Sequence, residues 1–185
     1  GETPEDKVIV FTYQLNGTKV DATDKNKTLK DAEFKLQRQS DNKWAKIDES
    51  GKVAAWVGSV DEASAVKSDD NGNFSVAGLD DGMYNVKETK APAGYDLPAN
   101  PFVVTLKAQT KNNQGWDGNP ATALTKIEVT VDGTDGTGNA QNGTAAINIV
   151  NTKGSSLPST GGMGTTILYA AGAAIVLVAA FGIAF

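Results

Sequence analysis

The sequence predicts an all-β chain, an antiparallel sandwich, and three observations carry that expectation. Short runs rich in β-branched and aromatic residues follow one another from residue 8 to residue 152. Turn chemistry such as "DDNGN", "LDDG", "APAG" and "DGTDGTGN" separates them. Between them no amphipathic helical pattern of about 10 residues competes. Seven to nine strands at this spacing argue for two packed antiparallel sheets.

The elements can be justified in order. "VIVFTYQL" places Ile9, Phe11, Tyr13 and Leu15 on one face, and counting on by twos through Gly17 brings Lys19 onto that face. Lys7 lies on the same alternation and is a second candidate for an inward lysine. Asn16-Gly17 is a turn signal that competes with strand continuation just before Lys19. "AEFKLQR", "KWAKI", "GKVAAWV" and "NFSVAGL" read as the next strands, each bounded by Gly, Asn or Asp. In "MYNVKET" Tyr84, Val86 and Glu88 share a face, so a carboxylate points where apolar groups belong. "FVVTLKA" and "LTKIEVTV" follow. The last run, "AAINIVNT", aligns Ile147, Ile149 and Asn151, which aims an asparagine inward. The Asp and Asn runs at 69–73 and 132–135 lack calcium-loop spacing and are explained by turns.

Composition excludes several kinds of chemistry. The chain has 185 residues, with no cysteine and no histidine. Disulfide staples, Ser-His and Cys-His dyads and the commonest zinc ligand are therefore out of reach. No cofactor or metal site is expected. The net charge is −5 without a basic stripe, so nucleic acid is not an expected partner. From Gly154 to Phe185 there is no charged residue, and "TTILYAAGAAIVLVAAFGIAF" is apolar for about 20 residues, long enough to cross a bilayer as a helix. "GETPEDK" has no signal-peptide character, so the chain is expected to be the C-terminal piece of a longer secreted precursor.

Lys19, Glu88 and Asn151 each end an apolar row. A lone buried charge costs several kcal/mol, so three such intrusions are expected to meet. Desolvation then favours a neutral amine beside a neutral acid. The amine becomes a nucleophile, while the carboxyl hydrogen-bonds the asparagine amide oxygen and shuttles the proton that turns the leaving group into ammonia. The expected product is an intramolecular isopeptide bond between Lys19 and Asn151, with Glu88 as its catalyst, used once during folding.

"YNVKETKAPAGY" resembles the glutamate-containing box of CnaB-type domains in Gram-positive surface proteins, matched at Tyr84, Glu88, Thr89, Ala91, Pro92, Gly94 and Tyr95. "TKVDA", "LKDAEFKL", "FSVAGLDDGMY" and "INIVNTK" resemble further segments of that family in the same order. The resemblance implies a reverse immunoglobulin-like antiparallel sandwich carrying the Lys-Asn bond. "LPSTGG" resembles the LPxTG sorting signal of sortase substrates, with Leu157, Pro158, Ser159, Thr160 and Gly161 as the recognised residues and Thr160-Gly161 as the bond cleaved. The expected organisation is a sandwich domain over residues 1–153, a flexible linker with the sorting motif over 154–162, and a transmembrane helix over 163–185 that is removed on sortase processing.

Together these resemblances imply a structural subunit of a covalently polymerised pilus anchored in a Gram-positive cell wall. The alternative is the stalk of a monomeric wall-anchored adhesin that binds a host ligand through upstream domains. Expected partners are sortase, neighbouring pilin subunits, peptidoglycan or its lipid-linked precursor, and the membrane through residues 165–185 before processing. No turnover constellation points to an enzyme with external substrates.

Overall fold

The computed structural model describes residues 10–111, 117–155, 165–170 and 174–179. The chain forms β1 (Tyr13–Asp21), β2 (Glu33–Arg38), β3 (Lys43–Ile47), β4 (Val53–Val57), β5 (Val66–Lys67), β6 (Asn73–Leu79), β7 (Gly82–Lys90) and β8 (Phe102–Thr110). A single helical turn, α1 (Pro120–Ala123), then leads into β9 (Leu124–Val131), β10 (Thr134–Asp135), β11 (Thr137–Asn139) and β12 (Thr144–Asn151). Pro120 fits the first turn of α1 because its missing N–H would be unpaired there in any residue. Two further strands, β13 (Thr165–Ala170) and β14 (Ala174–Ala179), pair only with each other among the described residues.

The expected all-β architecture is present as two sheets. The smaller runs β11-β12-β1-β6, and the larger runs β10-β9-β8-β7-β2-β3-β4 with β5 attached to β2. Their inner faces supply the core, including Tyr13 and Leu15 from β1, Phe34 and Leu36 from β2, Tyr84 and Val86 from β7, Val104 and Leu106 from β8, and Ile147 and Ile149 from β12. Alternation explains this selection, since successive side chains of a strand point to opposite faces.

One pairing departs from the antiparallel expectation: β1 and β12 run parallel, with Lys19 opposite Ile149 and Asp21 opposite Asn151. Adjacent strands joined by a tight turn must be antiparallel, but β1 and β12 are connected through most of the chain and are free of that constraint. Asn16-Gly17 does not turn either. Both residues lie inside β1, paired with β12 on one side and β6 on the other. The glycine is needed because a Cβ at Gly17 would overlap the ring of Phe74, its partner across β6. That ring crosses the bare glycine and stacks on Phe34 with centroids 4.5 Å apart.

Where a transmembrane helix over 163–185 is expected, the described residues are extended, with Thr165 opposite Ala179 and Ala170 opposite Ala174. No helix among the described residues is long and apolar enough to cross a membrane. Apolar length does not by itself distinguish strand from helix, and β-branched residues at 165–167, 175, 176 and 178 favour extended backbone. The demand that every backbone group be paired within the segment comes from hydrocarbon surroundings, not from the segment.

Candidate functional site

Three buried polar side chains meet between the sheets. Lys19 is 0% exposed, Glu88 3% and Asn151 1%. The smaller sheet contributes two of them: β1 and β12 are parallel neighbours, and Lys19 and Asn151 both point inward from them. The larger sheet contributes Glu88 from β7, where Tyr84, Val86 and Glu88 alternate as buried residues. The expected meeting of these three residues is therefore present. Lys7, the second lysine candidate, lies outside the described residues, as do Leu157, Pro158, Ser159, Thr160 and Gly161 of the sorting motif.

Glu88 bridges the other two with its separate oxygens. Lys19 Nζ donates to Glu88 Oε2 at 2.9 Å and to the Val150 carbonyl at 3.0 Å. Asn151 Nδ2 donates to Glu88 Oε1 at 2.9 Å and to the Asp96 carbonyl at 2.9 Å. The lysine nitrogen also lies 5.5 Å from the ring centroid of Phe34 and 5.0 Å from that of Phe102, so its surroundings are largely aromatic. The face that Glu88 presents differs from expectation. The carboxyl meets the carboxamide nitrogen, whereas Asn151 Oδ1 is buried with no hydrogen-bond partner. The physical reason is Asp96: its carbonyl can only accept, so it and a carboxylate both select the NH2 end of the amide.

Burial controls the protonation of the pair. Desolvation lowers Lys19 from 10.5 to about 8, opposed by the charge and hydrogen bond of Glu88. Desolvation likewise raises Glu88 above the usual carboxylate range, opposed by Lys19 and by the hydrogen bond from Asn151. Both shifts move towards a neutral amine next to a neutral acid. In that state the carboxyl can accept a proton from the amine at one oxygen and deliver one to the amide nitrogen at the other. Lys19 is fully buried, so its amine is shielded from bulk solvent, while the amide oxygen beside it has no donor to stabilise the negative charge that attack would place there.

Sequence reasoning missed the loop that closes this site. Asp21 is buried at 1% exposure, two residues beyond Lys19 on the same face, and its Oδ2 accepts from the Tyr95 hydroxyl at 2.8 Å. The inward count that found Lys19 reaches Asp21 at its next step, so that signal was available. The Asp96 carbonyl carries no signal in the sequence, because every residue has a backbone carbonyl. Among the described residues, no group of three or more acidic side chains is arranged to hold a metal ion.

The model of the SpaA family, described as a prealbumin-like fold domain, matches residues 13–120, a span that includes Lys19 and Glu88 but not Asn151. Among solved structures, the group B streptococcus pilus 2b backbone protein is 28% identical, with 84% of this chain and 46% of that one covered and a TM-score of 0.56. The shaft pilin SpaA from Lactobacillus rhamnosus GG is 23% identical, with 80% and 50% covered and a TM-score of 0.48. The C-terminal domain of that pilin is 22% identical, with 78% and 100% covered and a TM-score of 0.46. The chain spans about half the length of the whole pilins in this comparison. No curated protein matches it.

Proposed function

The chain belongs to the SpaA family of prealbumin-like fold domains, and on that premise we propose that it is part of a structural subunit of a Gram-positive pilus, covalently polymerised and held in the cell wall. The observation that carries this reading is the Glu88 carboxyl bridging a buried amine and a buried carboxamide. The likeness to a backbone pilin at 28% identity supports it.

The chemistry proposed for the site is a single intramolecular aminolysis. Neutral Lys19 Nζ attacks Asn151 Cγ, the C–Nδ2 bond breaks, and a new C–Nζ amide forms. Glu88 takes the proton lost by Nζ and supplies the one gained by Nδ2, so ammonia leaves and the carboxyl is regenerated. Effective molarities of order 10⁵ M or more for well-oriented groups make attack on an unreactive amide feasible without an external enzyme. The protein is accordingly read as a substrate of its own one-time reaction and not as a catalyst for other molecules.

The same reading assigns the flanking segments. Residues 163–185 are charge-free and long enough to act as a membrane helix in hydrocarbon before processing. Sortase then recognises Leu157, Pro158, Ser159, Thr160 and Gly161, cleaves after Thr160, and joins its acyl group to an amine of a neighbouring subunit or a peptidoglycan precursor. Tension along such a polymer enters upstream of β1 and leaves beyond Asn151. A Lys19–Asn151 bond would carry it past residues 20–150, which hydrogen bonds of about 1 kcal/mol each could not.

The test is a cell-wall extract probed for this protein. The reading expects a ladder of covalent multimers that collapses when Thr160 is changed to alanine. A single wall-linked species that forms no multimers would overturn the polymer and favour a monomeric stalk.

A further inference from the structure

We infer that Tyr95 and Asp21 form a latch that positions the Asn151 carboxamide for attack, so that cross-linking waits for the loop after β7 to dock. This rests on the Lys-Asn reading above and adds two residues and a sequence of events to it.

Docking of that loop is defined by contacts at both of its sides. Towards β12, Asp96 N–H donates to the Thr152 carbonyl at 2.9 Å, Gly154 N–H donates to the Gly94 carbonyl at 3.0 Å, and Tyr95 bridges Lys153. Towards β1, the Tyr95 hydroxyl donates to Asp21 Oδ2 at 2.8 Å. Asp21 is itself immobilised: Oδ1 accepts from Thr23 N–H at 2.8 Å, Thr23 Oγ at 2.7 Å and Asp24 N–H at 3.3 Å. Lys153 Nζ lies 3.8 Å from Oδ2. A tight turn, with Tyr95 N–H donating to the Pro92 carbonyl at 3.1 Å and Gly94 at φ 84°, lets the chain reverse there.

The residue after Tyr95 is the one that touches the reacting group. The Asp96 carbonyl accepts from Asn151 Nδ2 at 2.9 Å, and with Glu88 Oε1 it fixes the amide so that the leaving nitrogen faces the proton donor. Rotating the amide by half a turn would set Oδ1 against the Asp96 carbonyl oxygen, two acceptors in contact. The latch therefore holds the carbonyl that holds the amide. Because its parts come from β1, the loop after β7 and the end of β12, the carboxamide is correctly aimed only when all three have assembled. Tyr95 and Asp21 are positioning residues, since neither touches the reacting atoms.

The experiment follows cross-linking in the full chain made by cell-free synthesis, stopped in acid at timed intervals, with the fraction lighter by one ammonia read from intact mass. Protease resistance at the same time points reports folding. Tyr95→Phe, which keeps the ring, should slow ammonia loss roughly ten- to a hundredfold while protease resistance appears at the unaltered rate. Asp21→Ala should slow it similarly, and the double variant no further than the slower single one. In the Lys19→Met background, where no bond can form, Asn151 Nδ2 protons should exchange with solvent faster once Tyr95 is changed to phenylalanine. Ammonia loss as fast in Tyr95→Phe and Asp21→Ala as in the unaltered chain would overturn the latch and leave the Lys-Asn reading intact. No ammonia loss in the unaltered chain would overturn both.

Discussion

Changing Glu88 to glutamine tests the site with little change of shape. The glutamine keeps the volume and one carbonyl oxygen but can no longer shuttle a proton, so the cross-link should not form. The bond would close a loop from Lys19 to Asn151, about 130 residues, and in the chain-entropy model its loss costs on the order of 5 kcal/mol. A second cost arises because Lys19, no longer converted to a neutral amide, stays a fully buried amine without the carboxylate that would oppose its desolvation. Removing one partner of a buried pair costs about 3 kcal/mol or more. The total is on the order of 8 kcal/mol, and the Lys19→Met, Glu88→Gln double variant, which removes the stranded amine as well, should recover the second part. For a domain of about 150 residues each kcal/mol moves Tm by about 2–4 °C, so Glu88→Gln should lower Tm by roughly 15–30 °C and the double variant by roughly 10–20 °C. Differential scanning calorimetry with intact mass on the same samples reads both quantities. A Glu88→Gln protein that has still lost ammonia would rule out Glu88 as the proton shuttle, and one that melts within about 5 °C of the unaltered chain would rule out the bond as a major source of stability.

Other outcomes follow from the same geometry. In Asn151→Ala no cross-link can form, and Lys19 has a folded value of about 8 against 10.5 when unfolded. The folded state then binds fewer protons between those values, so the lysine's contribution to stability should rise with pH through that window, by about 3 kcal/mol at about 1.4 kcal/mol per pH unit. Denaturant titrations at stepped pH, compared with Lys19→Met, Asn151→Ala, should show this rise only when the lysine is present. Glu88 acts in the opposite direction: its raised folded value makes its contribution fall as pH climbs from the unfolded carboxylate value through the folded one. Gly17→Ala should cost about 1–3 kcal/mol, because the added methyl must displace the Phe74 ring from its stack on Phe34. A chemical denaturation midpoint equal to that of the unaltered protein would mean the ring moves freely.

Much of the site was legible because strand alternation is a strict two-residue period. Counting by twos placed Lys19, Glu88 and Asn151 on inner faces without knowledge of which strands adjoin. Pairing was not legible to the same degree. That β1 lies beside β12, and parallel to it, is a contact between distant parts of the chain with no local turn to announce it. Asn16-Gly17 competed with the strand count for a related reason: its local signal is a turn, but the ring of Phe74, near in space and far in sequence, requires a glycine in an unbroken strand. The orientation of the Asn151 amide depends on a backbone carbonyl of Asp96, and backbone groups are invisible to residue-type reasoning. The apolar segment after Gly164 is ambiguous in principle, because the solvent around it decides between helix and strand.

The most direct measurement is the intact mass of the folded, unaltered chain, followed by a tryptic map. The mass should be lower by one ammonia, and a branched peptide should join Lys19 to Asn151. A full mass, with both side chains recovered unmodified from folded protein, would contradict it.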